Sequence, residues 1–240
     1  MIQRILRSSQ LVAVACLLAF AVPVAADTLL TLERTQQGEN ENPSEIEIWI
    51  GKDRVSRADG RTTIVLEKAA NELLVVNHQA KSFSRIALPI DVLAMLPEEM
   101  KSMAAMFDLE VAVSPSEETQ AVGEWKGRRY DLEITNPMGM AVTSKLWMAD
   151  LDLDLEPFRD LTMSIATMQP GGKAVVEKLE KVPGFPVLNE TTYDLGGNVF
   201  TFAEQLISIR EGEAPANAYG APADYDKIEW DPLTALGGGP

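Results

Sequence analysis

From Thr28 to Ile86 the chain alternates apolar and polar side chains with the two-residue period of half-buried strands. No other feature constrains the fold as tightly. Ser44-Glu45-Ile46-Glu47-Ile48-Trp49-Ile50 shows the pattern most clearly. Gly51-Lys52-Asp53 reads as a tight turn, Arg54 to Arg57 as a short strand, and Asp59-Gly60 as a hairpin signal. Arg61 to Glu67 and Glu72 to Asn77 follow as strands joined by an Ala-Ala-Asn turn, and Ala80 to Ile86 as another. Connections this short join antiparallel neighbours, so the segment is a meander.

The period then changes. Between Pro89 and Phe107, the side chains Leu93, Leu96, Met100, Met103 and Phe107 recur at spacings of three and four, which places them on one helix face. Pro97, followed by Glu98 and Glu99, suits the first turn of a new helix, so this insert splits into two short helices near Leu96. Strands resume from Leu109, with Glu117 to Gly123, Arg128 to Thr135 and Ala141 to Ala149 as candidates. A second helical patch starts near Glu156, where Phe158, Leu161, Ile165 and Met168 share a face. Pro170-Gly171-Gly172 ends it, and Lys173 to Lys181 continues as a further helix. Val187 to Leu195 and Val199 to Glu211 close the pattern around a Gly196-Gly197-Asn198 turn. Beyond Glu211, Ala, Pro and Gly dominate, and the expectation is a mostly extended or disordered tail.

The amino terminus reads as a signal peptide. Arg4 and Arg7 precede an apolar stretch from Leu11 to Val22, and Val24-Ala25-Ala26 is a small-residue cleavage site, so residues 1–26 are expected to be removed. The competing reading is a membrane anchor, but the run falls short of the roughly 20 residues of a span. Cys16 sits too early in a continuing apolar run for a lipoprotein signal. Cleavage removes this sole cysteine, and with it disulfide and thiol chemistry. The formal charge of −15 becomes −17 without Arg4 and Arg7. A charge of this size opposes binding to nucleic acid or to an anionic bilayer. No second long apolar run suggests a stable span in the mature form, so a periplasmic or otherwise secreted protein is expected.

Catalytic and metal signatures are missing. Asp150, Asp152 and Asp154 imitate the start of a calcium loop, but Leu155 and Leu161 stand where Gly and Glu are needed; an exposed acidic strand face is the simpler reading. His78 is the only histidine, in the Asn77-His78-Gln79 turn, and reads as a solvated residue. Alone it makes neither a zinc site nor a triad, and no Gly-x-Ser-x-Gly elbow accompanies it. Gly171-Gly172-Lys173 lacks the spacing of a phosphate-binding loop. Carboxylate pairs are too numerous to single one out. No enzymatic activity, cofactor or metal is therefore expected.

Met is flexible and polarizable, so a Met-lined face adapts to varied apolar surfaces. Met95, Met100, Met103 and Met106 fall in the first insert and Met163 and Met168 in the second. Two readings stand: amphipathic helices that complete a core, and helices that line a cleft for a hydrophobic ligand.

Several short motifs point to a family. They are Trp49-Ile50-Gly51-Lys52-Asp53-Arg54-Val55, Leu73 to Asn77 with Lys81-Ser82-Phe83, and the strand entry from Val122 through Gly123 and Trp125 to Tyr130. Lys145-Leu146-Trp147-Met148-Ala149, Gly184-Phe185-Pro186-Val187 and Ala221-Pro222-Ala223-Asp224-Tyr225-Asp226-Lys227 complete the set. Together they resemble the bacterial secreted proteins with a domain of unknown function (DUF4412-like) that is related to the periplasmic lipoprotein carrier and receptor (LolA/LolB-like) fold. The resemblance spans most of the mature chain and supplies no catalytic residues. It implies an incomplete antiparallel barrel, plugged by helices, whose concave face holds acyl chains.

The expectation is therefore an α+β protein. A single domain over residues 27–211 would hold a curved, incompletely closed antiparallel half-barrel, with helical inserts at 89–107 and 156–181 covering its concave face and a tail over 212–240. The leading function is non-catalytic binding of a lipid or acylated protein segment. Leu93, Leu96, Met100, Met103, Phe107, Phe158, Leu161, Ile165 and Met168 would line the cleft. The alternative is a cell-envelope interaction module with a solid core and a protein partner.

Overall fold

The computed structural model describes residues 26–37, 43–101 and 108–232. Between Thr28 and Ile86 alternating residues produce the expected strands: β1 (Asp27–Gln36), β2 (Ser44–Ile50), β3 (Arg54–Ala58), β4 (Thr62–Glu67), β5 (Glu72–Asn77) and β6 (Ser82–Ala87). Two one-turn helices follow, α1 (Val92–Met95) and α2 (Glu98–Lys101), separated at Pro97 as the sequence predicts. Asp91 caps the first by accepting from the Ala94 N–H at 3.0 Å. Long strands β7 (Glu110–Val122), β8 (Trp125–Thr135) and β9 (Met140–Ala149) precede the helices α3 (Glu156–Thr167) and α4 (Gly172–Leu179). Then come β10 (Phe185–Leu195), β11 (Asn198–Gly212) and the two-residue β12 (Asp226–Lys227).

Among the described residues all the strands join one sheet, in the order β12-β6-β5-β4-β3-β2-β1-β11-β10-β9-β8-β7. Every pairing is antiparallel except β12 with β6. The sheet is open, with β7 at one edge. Two meanders, β2 to β6 and β7 to β10, meet through β1 and β11, which pair from Asp27↔Gly212 to Gln36↔Phe202 with a bulge after Thr31.

Period-two burial sorts the side chains onto two faces. One face carries Leu30, Leu32, Ile48, Val55, Leu73 and Leu206, and α3 packs on it through Phe158, Leu161 and Ile165. Leu161 is fully buried, and Phe158 meets Phe185 with ring centroids 4.7 Å apart. Complete burial of a side chain like Leu161 is worth about 1.5–3 kcal/mol. Asp160 anchors the exposed side of α3 to Lys68, at the β4–β5 turn, at 2.7 Å. The hydrogen bond that Lys68 donates to Asp160 is the main reason the pKa of its ammonium is raised. The opposite face carries Leu29, Trp49, Val65, Leu74 and Val76.

Three local expectations need correction. The tail does not run free: Tyr219 is buried against the second face, and Arg54 lies over its ring at 4.1 Å. His78 is not simply solvated. Its Nε2 meets Thr63 Oγ1 at 2.8 Å and its Nδ1 meets the Tyr225 hydroxyl at 3.1 Å, which ties the tail to the β5–β6 turn. Asp150, Asp152 and Asp154 are exposed and alternate with more buried leucines, but the segment is a bend rather than a strand. Asp154 instead accepts from the Glu156 N–H at 3.1 Å, at the start of α3.

Candidate functional site

A cavity of about 440 Å³ lies between α3 and the half of the sheet built from β8 to β11. Its size falls in the range of about 300–1,000 Å³ usual for small-molecule sites. The register explains the lining. Leu132 faces Ser144 across β8–β9, Ser144 faces Thr191 across β9–β10, and Thr191 faces Phe202 across β10–β11, so all four project from one row on the same face. The next row brings Ile134, Val142 and Tyr193 together. The helical side contributes Phe158, Leu161, Thr162, Met163 and Ile165, and the segment after α4 contributes Val182. Most of the wall is apolar.

A polar strip interrupts it. Ser144 and Thr191 hydroxyls are 2.8 Å apart, and Thr191 donates to Asn189 Oδ1 at 2.9 Å. Beyond them lies Glu204, 8% exposed. Arg34 donates to its Oε1 from Nε at 2.9 Å and from Nη2 at 2.6 Å, and Arg57 Nη2 donates to its two oxygens at 2.8 and 3.0 Å. Burial alone would push the Glu204 carboxyl up. The charges and hydrogen bonds of Arg57 and Arg34 more than offset this and hold it below its ordinary value of 4.5. Arg34 also sits 5.7 Å above the Phe202 ring. Tyr193 stacks on Phe200 at 5.0 Å and on Phe202 at 5.5 Å. Its phenol is pushed up by burial and then by the Glu204 charge, with Arg34 opposing.

Of the residues that the sequence nominates, Phe158, Leu161 and Ile165 line this cavity. Met168 packs against the core beside it. Leu93 and Leu96 belong to α1 and its end; Leu96 is buried, but neither lines this cavity. The Met100 side chain, Met103 and Phe107 lie outside the described residues. Sequence reasoning misses the arginines and Glu204 altogether. Their signal is parity: Arg34 continues the inward series Leu30 and Leu32, and Glu204 stands between the inward positions Phe202 and Leu206. Among the described residues no cluster of three His, Cys, Asp or Glu side chains could hold a metal. No helix there is long and apolar enough to cross a membrane.

No curated protein matches the chain. A solved structure of a LolA superfamily protein from Nitrosomonas europaea is similar to it at 8% identity, with a TM-score of 0.31, covering 82% of this chain and 91% of that one. The profile of the family described as Domain of unknown function (DUF4412) matches residues 40–225. An open antiparallel sheet that spans this segment, with a helix-roofed cavity on one face, is thus the architecture of a member of the DUF4412 family, to which this chain belongs.

Proposed function

We propose that the protein is a non-catalytic binder of a hydrophobic ligand, a lipid or an acylated protein segment. It works in the periplasm or a comparable secreted location, after removal of the leader near Ala26. The sheet curves into a half-barrel, and the ligand lies in its concave face beneath the helices. The observation that carries this reading is the cavity of about 440 Å³ between α3 and the sheet, walled mainly by Leu, Ile, Val, Phe and Met. Each Å² of apolar surface that a ligand withdraws from water there contributes about 25 cal/mol. The alternative, an interaction module with a solid core, is disfavoured by that same space.

The test is native mass spectrometry of the gently purified protein, followed by solvent extraction. The expected result is an acyl species bound at close to one per chain, together with bright fluorescence of added N-phenyl-1-naphthylamine. A protein that emerges empty and leaves this neutral dye dark overturns the reading.

A further inference from the structure

The whole chain has 36 acidic side chains against 21 basic ones. The cavity reverses that balance. Its charged wall residues are Arg34, Arg57, Arg159 and Glu204, and no Asp or Lys joins them. Glu204 compensates one guanidinium at most, although it is shared by two. Asp59 offers Arg34 a looser contact at 3.6 Å and stands outside the wall. Arg57 reaches Glu204 through Nη2, and a guanidinium has five N–H groups to place. Arg159 makes no ion pair among the described residues. It stands on α3, the helix that packs on β3, the strand of Arg57.

Withdrawing positive charge from water is costly without a partner, and a purely apolar ligand supplies none. Leu or Met at these positions would hold a neutral chain better. We propose that the cavity binds an anionic amphiphile, whose carboxylate or phosphate head meets the Arg34–Arg57–Arg159 wall while its hydrocarbon lies along Leu132, Ile134, Val142 and Leu161. Charge-assisted hydrogen bonds to such a head are short and about twice as strong as neutral ones. Glu204 has a positioning role here. It fixes the two strand-borne guanidiniums while leaving the wall net positive. Arg34 is held further by the Phe202 ring beneath it.

This inference rests on the hydrophobic-ligand reading, and its test separates the two. Purified protein loaded with N-phenyl-1-naphthylamine is titrated below micelle-forming concentrations with hexadecanoate, hexadecyl phosphate, hexadecanol and hexadecyltrimethylammonium. The expected result is displacement by one or both anions at least about tenfold more effective than by hexadecanol, with the cation weakest. The better of the two anions identifies the source as a free fatty acid or a phosphate-bearing lipid. Arg159→Gln and Arg57→Gln should each cut the anion-to-alcohol ratio at least about threefold, and Arg57→Lys should restore most of it. The ratio is taken within each variant, so a general loss of affinity cancels. Because Arg159 has no ion pair to break among the described residues, its variant remains informative even if Arg57→Gln fails to fold. Displacement of the dye by hexadecanol or by the cation as effective as that by the anions overturns the anionic head and leaves the apolar site standing. No binding of the neutral dye overturns both.

Discussion

Glu204 is the residue whose surroundings say most about the molecule. Its carboxylate is buried between Arg34 and Arg57 in a wall that is otherwise largely apolar. Because its pKa is lowered on folding, its contribution to stability is fully present above the ordinary carboxylate value of 4.5. That contribution is lost as the pH falls through the lowered value. Glu204→Gln should therefore cost about 3 kcal/mol in urea denaturation at neutral pH. The figure belongs at the lower end of the range for a broken buried pair, because both arginines are partly exposed and screened. The variant should also show a shallower loss of stability on acidification than the parent. An unchanged acid limb would mean that the carboxylate is not held by the arginines. The sequence shows the members of this cluster only by their inward parity on separate strands, not as partners. Arg34 and Arg57 lie 170 and 147 positions from Glu204; the β1–β11 register sets Arg34 opposite Glu204, and the β1–β2 and β2–β3 pairings bring Arg57 to the same face.

At the scale of elements, strands and helices were legible because each announces itself by period. α3 shows the benefit: Phe158, Leu161 and Ile165 form one stripe in the sequence and one stripe packed on the core in the structure. Its continuation into α4 depends on a single small residue. A Cβ added at Gly172 would lie 1.8 Å from the Ala166 carbonyl oxygen, and that oxygen belongs to the backbone. Gly172→Ala must therefore open the α3–α4 junction. It should lower stability by more than about 1 kcal/mol and weaken dye binding in the cavity, as read by denaturation and fluorescence titration. Full retention of both would show that the junction is slack. The described part of the first insert stands apart from the cavity for a physical reason. Helical spacing shows that a face is apolar, not what it faces, and neither Leu93 nor Leu96 lines the cavity under α3. Edge strand β7 carries its own safeguard. Glu110, Glu117, Glu118 and Pro115, with a register break between Pro115 and Thr119, leave it a poor template for another chain.

The whole molecule packs on both faces of one sheet, and composition alone hid the second packing. Ala, Pro and Gly made residues 212–232 resemble a free tail, yet two aromatic side chains, Tyr219 and Tyr225, fasten that segment over Trp49, Val65 and Leu74. Truncation after Gly212 should cost at least about 2–3 kcal/mol, the worth of one large buried side chain, and expose a dye-binding apolar patch. The cavity on the opposite face should still take N-phenyl-1-naphthylamine. A truncated chain as stable as the parent would mean that the segment only rests on the sheet. The pairing of β1 with β11 has a consequence in time. The two meanders rely on local contacts and can form early, whereas Thr28 must find Glu211. Loop closure over such a distance is slow, so the seam should form after the meanders. A chain that emerges amino end first, from a ribosome or a narrow channel, waits with β1 unmatched on one side until its last long strand arrives. The seam therefore stays open until residue 212 has passed.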